Sequence, residues 1–223
     1  MRVYSLEPKA MRQIQDWDAG PLLKRDGANV ASVLRGLARR EPEVADRVSE
    51  LLGSIVPDVT RVRPVQRGDK VGLEFTQQWA EQKSVSFDAA AMSDGTLYSL
   101  GMLVALMQQP TPPLIVIEGP EIMIHPGGLG TIQELIQIAA RRSQVVITTH
   151  SPELLDAEWV GPENLRVVHW ENGATQISRL STGAVRALQQ HLMGAGELFR
   201  ANALDSPVLP SATPLPLFDP VLA

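Results

Sequence analysis

The sequence predicts an α/β fold in which a mainly parallel sheet is flanked by helices, with a helical segment at its N-terminal side. Two short apolar runs, LIVI at 114–117 and VVIT at 145–148, have the length and continuity of strands buried on both faces. A helical pattern over 129–142 separates them, with Ile132, Leu135, Ile136 and Ala139 on one side. Polar sequences, EGPE and THSPE, follow the two runs. In parallel sheets that is where ligands collect, at the carboxyl ends of the strands.

The remaining elements follow in chain order. Residues 1–27 are mixed and turn-rich, ending in an Asp26-Gly27 turn signal. Asn29 stands where a helix cap is expected, ahead of VASVLRGLARR, in which Val30, Val33, Leu34 and Leu37 recur at helical spacing. A second helix is predicted after Pro42, with Val44, Val48, Leu51 and Leu52 on one face, ending at Val56-Pro57. Val71, Leu73 and Phe75 alternate as in a strand, and residues 85–87 read as its partner. Ser93-Asp94-Gly95-Thr96 opens an apolar helix that must stop before Pro110. A short helix is expected at 152–155. Two strands, 165–170 and 175–180, flank the turn Glu171-Asn172-Gly173, and two helical pieces lie between Thr182 and Ala203. The last nineteen residues hold five prolines and read as an extended or disordered tail. The expected divisions are 1–90, helices and short strands; 91–203, the strand–helix lobe; and 204–223, the tail.

Composition bounds the function. The chain has 223 residues, 44% hydrophobic and 20% charged, enough for one domain with a substantial core. It has no cysteine, which excludes disulfides, thiolate catalysis and cysteine-bound zinc. A net charge of −5 gives no global attraction to nucleic acid or an anionic membrane. No apolar run of signal-peptide or membrane-spanning length occurs, so a cytoplasmic location is expected and no membrane partner.

Three polar segments can carry chemistry. Glu118 and Glu121, at the end of a buried strand, suit Mg²⁺, which takes a few carboxylates together with phosphate oxygens. His150 ends the next strand and can contact a phosphate or orient water. Ser93-Asp94-Gly95-Thr96 offers backbone N–H groups and a positive helix end to an anion. Each segment also has a plainer reading: solvated glutamates, a capping histidine, an ordinary helix cap. Their order and spacing are the specific signal.

Taken together, MSDGTLYSL, LIVIEGPEIMIHPGGL and VVITTHSPELLD resemble the RecF/SMC-like branch of the ABC ATPases, the AAA-type ATPases of the OLD, RecF and related bacterial families. Upstream, LLKRDGANVASVLRGL resembles a helical segment of the same branch, and the likeness extends over residues 4–198. The resemblance implies the C-terminal lobe of an ABC ATPase head with a P-loop NTPase fold, using ATP and Mg²⁺. It puts residues 92–96 at the signature position, where Ser93 and Gly95 would meet the γ-phosphate of ATP held by an opposite protomer, with Asp94 and Thr96 completing the turn. It makes residues 114–118 the Walker B strand, Glu118 the Mg²⁺-associated acid, His150 the switch histidine, and residues 125–129 the D-loop at a dimer interface.

Two departures qualify what the resemblance implies. No GxxxxGK[ST] occurs, so the Walker A lysine and phosphate cradle are missing. The expected partner is therefore a Walker A-containing N-terminal lobe, in cis or in trans, or a second copy, and the chain reads as the C-terminal portion of a longer member. The position after Glu118, acidic in the family, is Gly119, which has no side chain for general-base work. Glu121 is the nearest substitute. Hydrolysis is expected to be slow or absent, and Gly119→Glu is expected to raise it. Two alternatives stand beside this: a degenerate head serving as an interaction module, and a phosphoesterase with a metal held by Glu118, Glu121, His125 and His150. The branch includes DNA-repair, recombination and phage-defence ATPases, so any DNA association is expected to be indirect. A lobe lacking its neighbouring strands should dimerise, find a partner or aggregate.

Overall fold

The computed structural model describes residues 1–18, 20–79, 83–171 and 173–204. It divides into two compact units, residues 1–150 and 151–223.

The first unit is built around one helix. In chain order it contains β1 (Arg2–Tyr4), α1 (Pro8–Met11), β2 (Gln15–Asp16), α2 (Val30–Arg40), α3 (Pro42–Ile55), β3 (Val59–Arg67), β4 (Lys70–Trp79), β5 (Lys83–Asp88), α4 (Asp94–Met107), β6 (Leu114–Glu118), α5 (Leu129–Ala140) and β7 (Gln144–Thr148). In α4, every residue from Thr96 to Leu106 is buried. A helix apolar all round belongs in the middle of a core, and α1, α2, α3 and α5 all pack against α4. Gly101 permits the close approach of α1: a Cβ there would lie 2.8 Å from Met11 Cε and 2.9 Å from Leu6 Cδ1.

The parallel sheet has the order β1-β6-β7. Val3 pairs with Val116 and Ile117 with Ile147, and Glu118 stands opposite Thr148 at the carboxyl ends. The strand β1 was not foreseen in the turn-rich first 27 residues; its Tyr4 is buried in the core. Burial on both faces also fails as an expectation. Ile115 and Ile117 are buried while Leu114 and Val116 are half-buried, and the apolar residues of β7 are half-buried throughout. Among the described residues β7 pairs with β6 alone, so it has an edge strand's partial cover.

A second, antiparallel sheet joins β3 along one side of β4, with β2 and β5 at opposite ends of its other side. Val71, Leu73 and Phe75 are buried, as their alternation predicts. Strand β3 was not foreseen. The helix α2 has the limits read from the sequence, but Asn29 does not cap it. Its Oδ1 accepts from the Lys24 amide at 2.8 Å and its Nδ2 donates to the Leu22 carbonyl at 3.0 Å, fastening the preceding loop.

The second unit holds α6 (Pro152–Leu155), the hairpin of β8 (Val167–Glu171) and β9 (Ala174–Ser178), α7 (Thr182–Gln189) and α8 (Ala195–Arg200). Its small core is Leu180, Ala184, Leu198 and Leu204, with Leu155, Leu165 and Val167 against it. Gly196 lets α8 close on α6, since a Cβ there would be 2.3 Å from the Pro152 carbonyl oxygen. Asn172 and residues 205–223, which carry the hairpin-turn centre and nearly all the proline-rich tail, lie outside the described residues.

Candidate nucleotide site

The turn before α4 is a built helix start. Ser93 is the cap: its Oγ accepts from the Thr96 amide at 3.1 Å and lies 2.8 Å from Thr96 Oγ1. Thr96 is thereby turned inward and buried, while Ser93 and Asp94 stay exposed. Gly95 lies tight against the loop that follows β6; a Cβ there would be 2.8 Å from the Met123 carbonyl oxygen. A side chain at 95 would push the helix end away from that loop. Arg12 holds the same turn from the α1 side, donating to the Met92 carbonyl at 2.9 Å and pairing with Asp94 at 2.5 Å. Of the Ser93-Asp94-Gly95-Thr96 set, then, Ser93, Asp94 and the Gly95 backbone face outward and Thr96 braces them from beneath.

The strand ends form the other wall. Glu118 is exposed at the end of β6. Directly after it, the Gly119 amide donates to the Thr148 carbonyl at 2.9 Å, which joins the ends of β6 and β7. Gly119 takes the left-handed φ of +53°. A Cβ at this position would meet Ile122 Cδ1 at 2.2 Å. Glu121 turns back across the strand ends: its Oε1 accepts from Thr149 Oγ1 at 2.8 Å and from the His150 amide at 3.2 Å. Its Oε2 is buried with no partner. A buried carboxylate oxygen left without a hydrogen bond is costly unless something positive meets it. Glu121 and the exposed Glu118 are the acids at these strand ends that could hold a Mg²⁺.

Tyr98 links the walls. From the first turn of α4 its buried hydroxyl donates to the Gly119 carbonyl at 3.0 Å. Burial, and then the negative charges of Glu121 and Glu118, push its ionisation up to about 12. It remains a proton donor at neutral pH.

Among the described residues no three His, Asp or Glu side chains converge to hold a metal ion. The alternative site of Glu118, Glu121, His125 and His150 is thus not assembled. His125 is used locally, its Nδ1 accepting from the Gly127 amide at 3.1 Å as the cap of a short turn at Pro126–Gly128. The His150 side chain is exposed. Arg12, Tyr98 and Thr149 were not singled out by sequence reasoning. For Thr149 a signal existed, a hydroxyl directly before His150. For Arg12 and Tyr98 the partners lie 80 and 21 positions away, and no local pattern announces them.

With this geometry in hand, the comparisons are consistent. Residues 9–156 match the family described as "AAA domain, putative AbiEii toxin, Type IV TA system", and the chain belongs to that family. No curated protein matches it. Among solved structures, an SMC head bound to the C-winged helix domain of ScpA matches with a TM-score of 0.50 and 13% identity, over 82% of this chain and 56% of that one. The SMC head domain with an extended coiled coil from Pyrococcus furiosus, bound to the C-terminal domain of ScpA, gives 0.48 and 18% over 71% of this chain and 40% of that one. A structure from work on ATP-driven dimerisation and DNA-stimulated activation of SMC ATPases gives 0.47 and 16% over 72% and 98%. This chain therefore spans about half the length, or less, of the first two. The fold is that of the SMC-like ATPase heads.

Proposed function

We propose that this chain contributes one half of a composite ATP site. In this reading Ser93 and the Gly95 backbone cap the terminal phosphate, while Asp94 and Thr96 fix their turn. Glu118, with Glu121, takes the Mg²⁺ side, and His150 faces the phosphate from the end of β7. Glu118 and Glu121 would hold the ion, which would supply positive charge against the phosphates. The cradle for the remaining phosphates comes from a Walker A-containing lobe, in cis or in trans, or from a second copy. The observation that carries this is the clamp between the walls: Tyr98 bonded to Gly119, Gly95 against Met123, and Glu121 across to Thr149 and His150. These contacts support the reading by tying the start of α4 to the loops that follow β6 and β7.

Binding outruns turnover in this reading, because Gly119 has no carboxylate and Glu121 spends one oxygen on β7. The test is light scattering of the full chain with Mg²⁺-ATP, alone and with a Walker A-bearing partner lobe. Association that needs nucleotide and is lost in Ser93→Arg is the expected result. Association indifferent to both ATP and Ser93→Arg would make the chain an interaction module instead.

A further inference from the structure

The outer face of α2 carries a group of cations beside an aromatic ring. Val30, Ala31, Val33, Leu34 and Leu37 of this helix are buried, and Arg35, Arg39 and Arg40 lie on its outward side. Four arginines of this unit, Arg12, Arg47, Arg63 and Arg67, have carboxylate partners. Among the described residues these three have none. Arg35 instead lies 4.6 Å from the centre of the Trp17 ring, and Trp17 is still 44% exposed.

Beside that ring is a cavity of about 220 Å³, bordered by Trp17, Gly20, Ser32, Gly36, Arg39 and Arg40. Two glycines keep it open: a Cβ on Gly36 would lie 3.0 Å from Arg40 Nη2, and one on Gly20 would lie 3.0 Å from Asp18 Oδ1. Arg40 is steadied by its bond to the Gln109 carbonyl at 3.3 Å. The one acid of the cavity wall, Asp18, is already engaged. It accepts from the Gly20 amide at 2.8 Å and pairs with Lys24 at 3.0 Å, and these bonds hold its ionisation below the usual carboxylate range. The positive charge of Arg39 and Arg40 is therefore not cancelled across the opening.

The volume is under the roughly 300 Å³ at which ordinary small-molecule pockets begin. It suits one flat ring rather than a whole cofactor. An exposed indole already stacked on a guanidinium, with unpaired arginines along the adjacent helix, is the combination that binds single-stranded nucleic acid: a base stacks and the phosphates follow the cations. We infer that Trp17 and the Arg35, Arg39 and Arg40 face of α2 form a binding site for a single nucleic-acid strand, with one base in the cavity beside Trp17. The site is separate from the proposed ATP site and does not rest on it.

The test is fluorescence anisotropy of a labelled oligothymidylate of about a dozen nucleotides with the full chain at low salt, within the span such sites cover. Loss of one stacked base in Trp17→Ala should weaken binding about tenfold, while Trp17→Phe keeps most of it. Arg39→Ala and Arg40→Ala should each lower the slope of log affinity against log salt by about 0.7, as expected when one single-strand phosphate contact is lost. Trp170→Ala, at an exposed tryptophan of the second unit, should leave binding unchanged. Absence of binding, binding indifferent to Trp17→Ala, or a duplex of the same length held as tightly would each overturn the inference.

Discussion

Helices α2 and α4 are 11 and 14 residues long and meet the same core in opposite ways. The first buries one face and carries three arginines on the other; the second is enclosed from Thr96 to Leu106. An enclosed helix can present only its end to a ligand, so whatever α4 does chemically is concentrated in Ser93, Asp94 and Gly95. A half-buried helix presents a side, and α2 has a side rich in charge. The same distinction separates what each helix tolerates.

The sharpest test of that contrast is in the middle of α4. Leu103→Ala, at a fully buried position, should lower unfolding free energy by about 2–5 kcal/mol in urea denaturation. A loss under about 1 kcal/mol would mean that α4 is not enclosed as described. Next comes the join between the walls. Tyr98→Phe leaves the buried Gly119 carbonyl without its donor, at a cost of about 1–3 kcal/mol. This change has a pH signature. The folded-state ionisation of Tyr98, about 12, lies above the roughly 10 of an unfolded tyrosine. Its contribution is therefore whole below pH ~10 and is lost as the pH rises towards ~12. Wild-type stability should fall through that window more steeply than that of Tyr98→Phe; parallel curves would remove Tyr98 from the account.

At the helix end, Ser93→Ala removes the cap and should cost about 1 kcal/mol. Thermal denaturation will show whether this loss is clearly smaller than that of Leu103→Ala. Smallest of all, Arg39→Ala on the exposed face of α2 should change stability by less than about 0.5 kcal/mol. A larger loss would show that this side chain supports the fold rather than standing free for a ligand.

The same two helices show what could be read in the sequence. The apolar spacing of α2 defined its limits, and the Ser-Asp-Gly-Thr start defined α4, because both signals are local. The strands β6 and β7 and the polar turns after them were legible for the same reason. The strand β3 was not. Val59 and Val62 both point inward although three positions separate them, because the register shifts between Val59 and Arg61. That irregularity erases the period-two pattern. Strand β1 is three residues long, and its partner Ile115 is more than a hundred positions away. In the candidate site, the residues that point outward were legible, while those that hold them were not. Arg12 braces a turn from a different helix, and nothing near it in the chain mentions that turn.

The left-handed backbone at Gly119 has a consequence for how this protein can change. In the family that the sequence resembles, an acid occupies this place, yet here the space where its Cβ would start is filled by Ile122. A single codon change at 119 therefore yields a strained loop before it yields a better catalyst. The low turnover proposed for this chain is thus held by the backbone at 119 as well as by the missing carboxylate, so Gly119→Glu should raise turnover by less than an unstrained loop would allow.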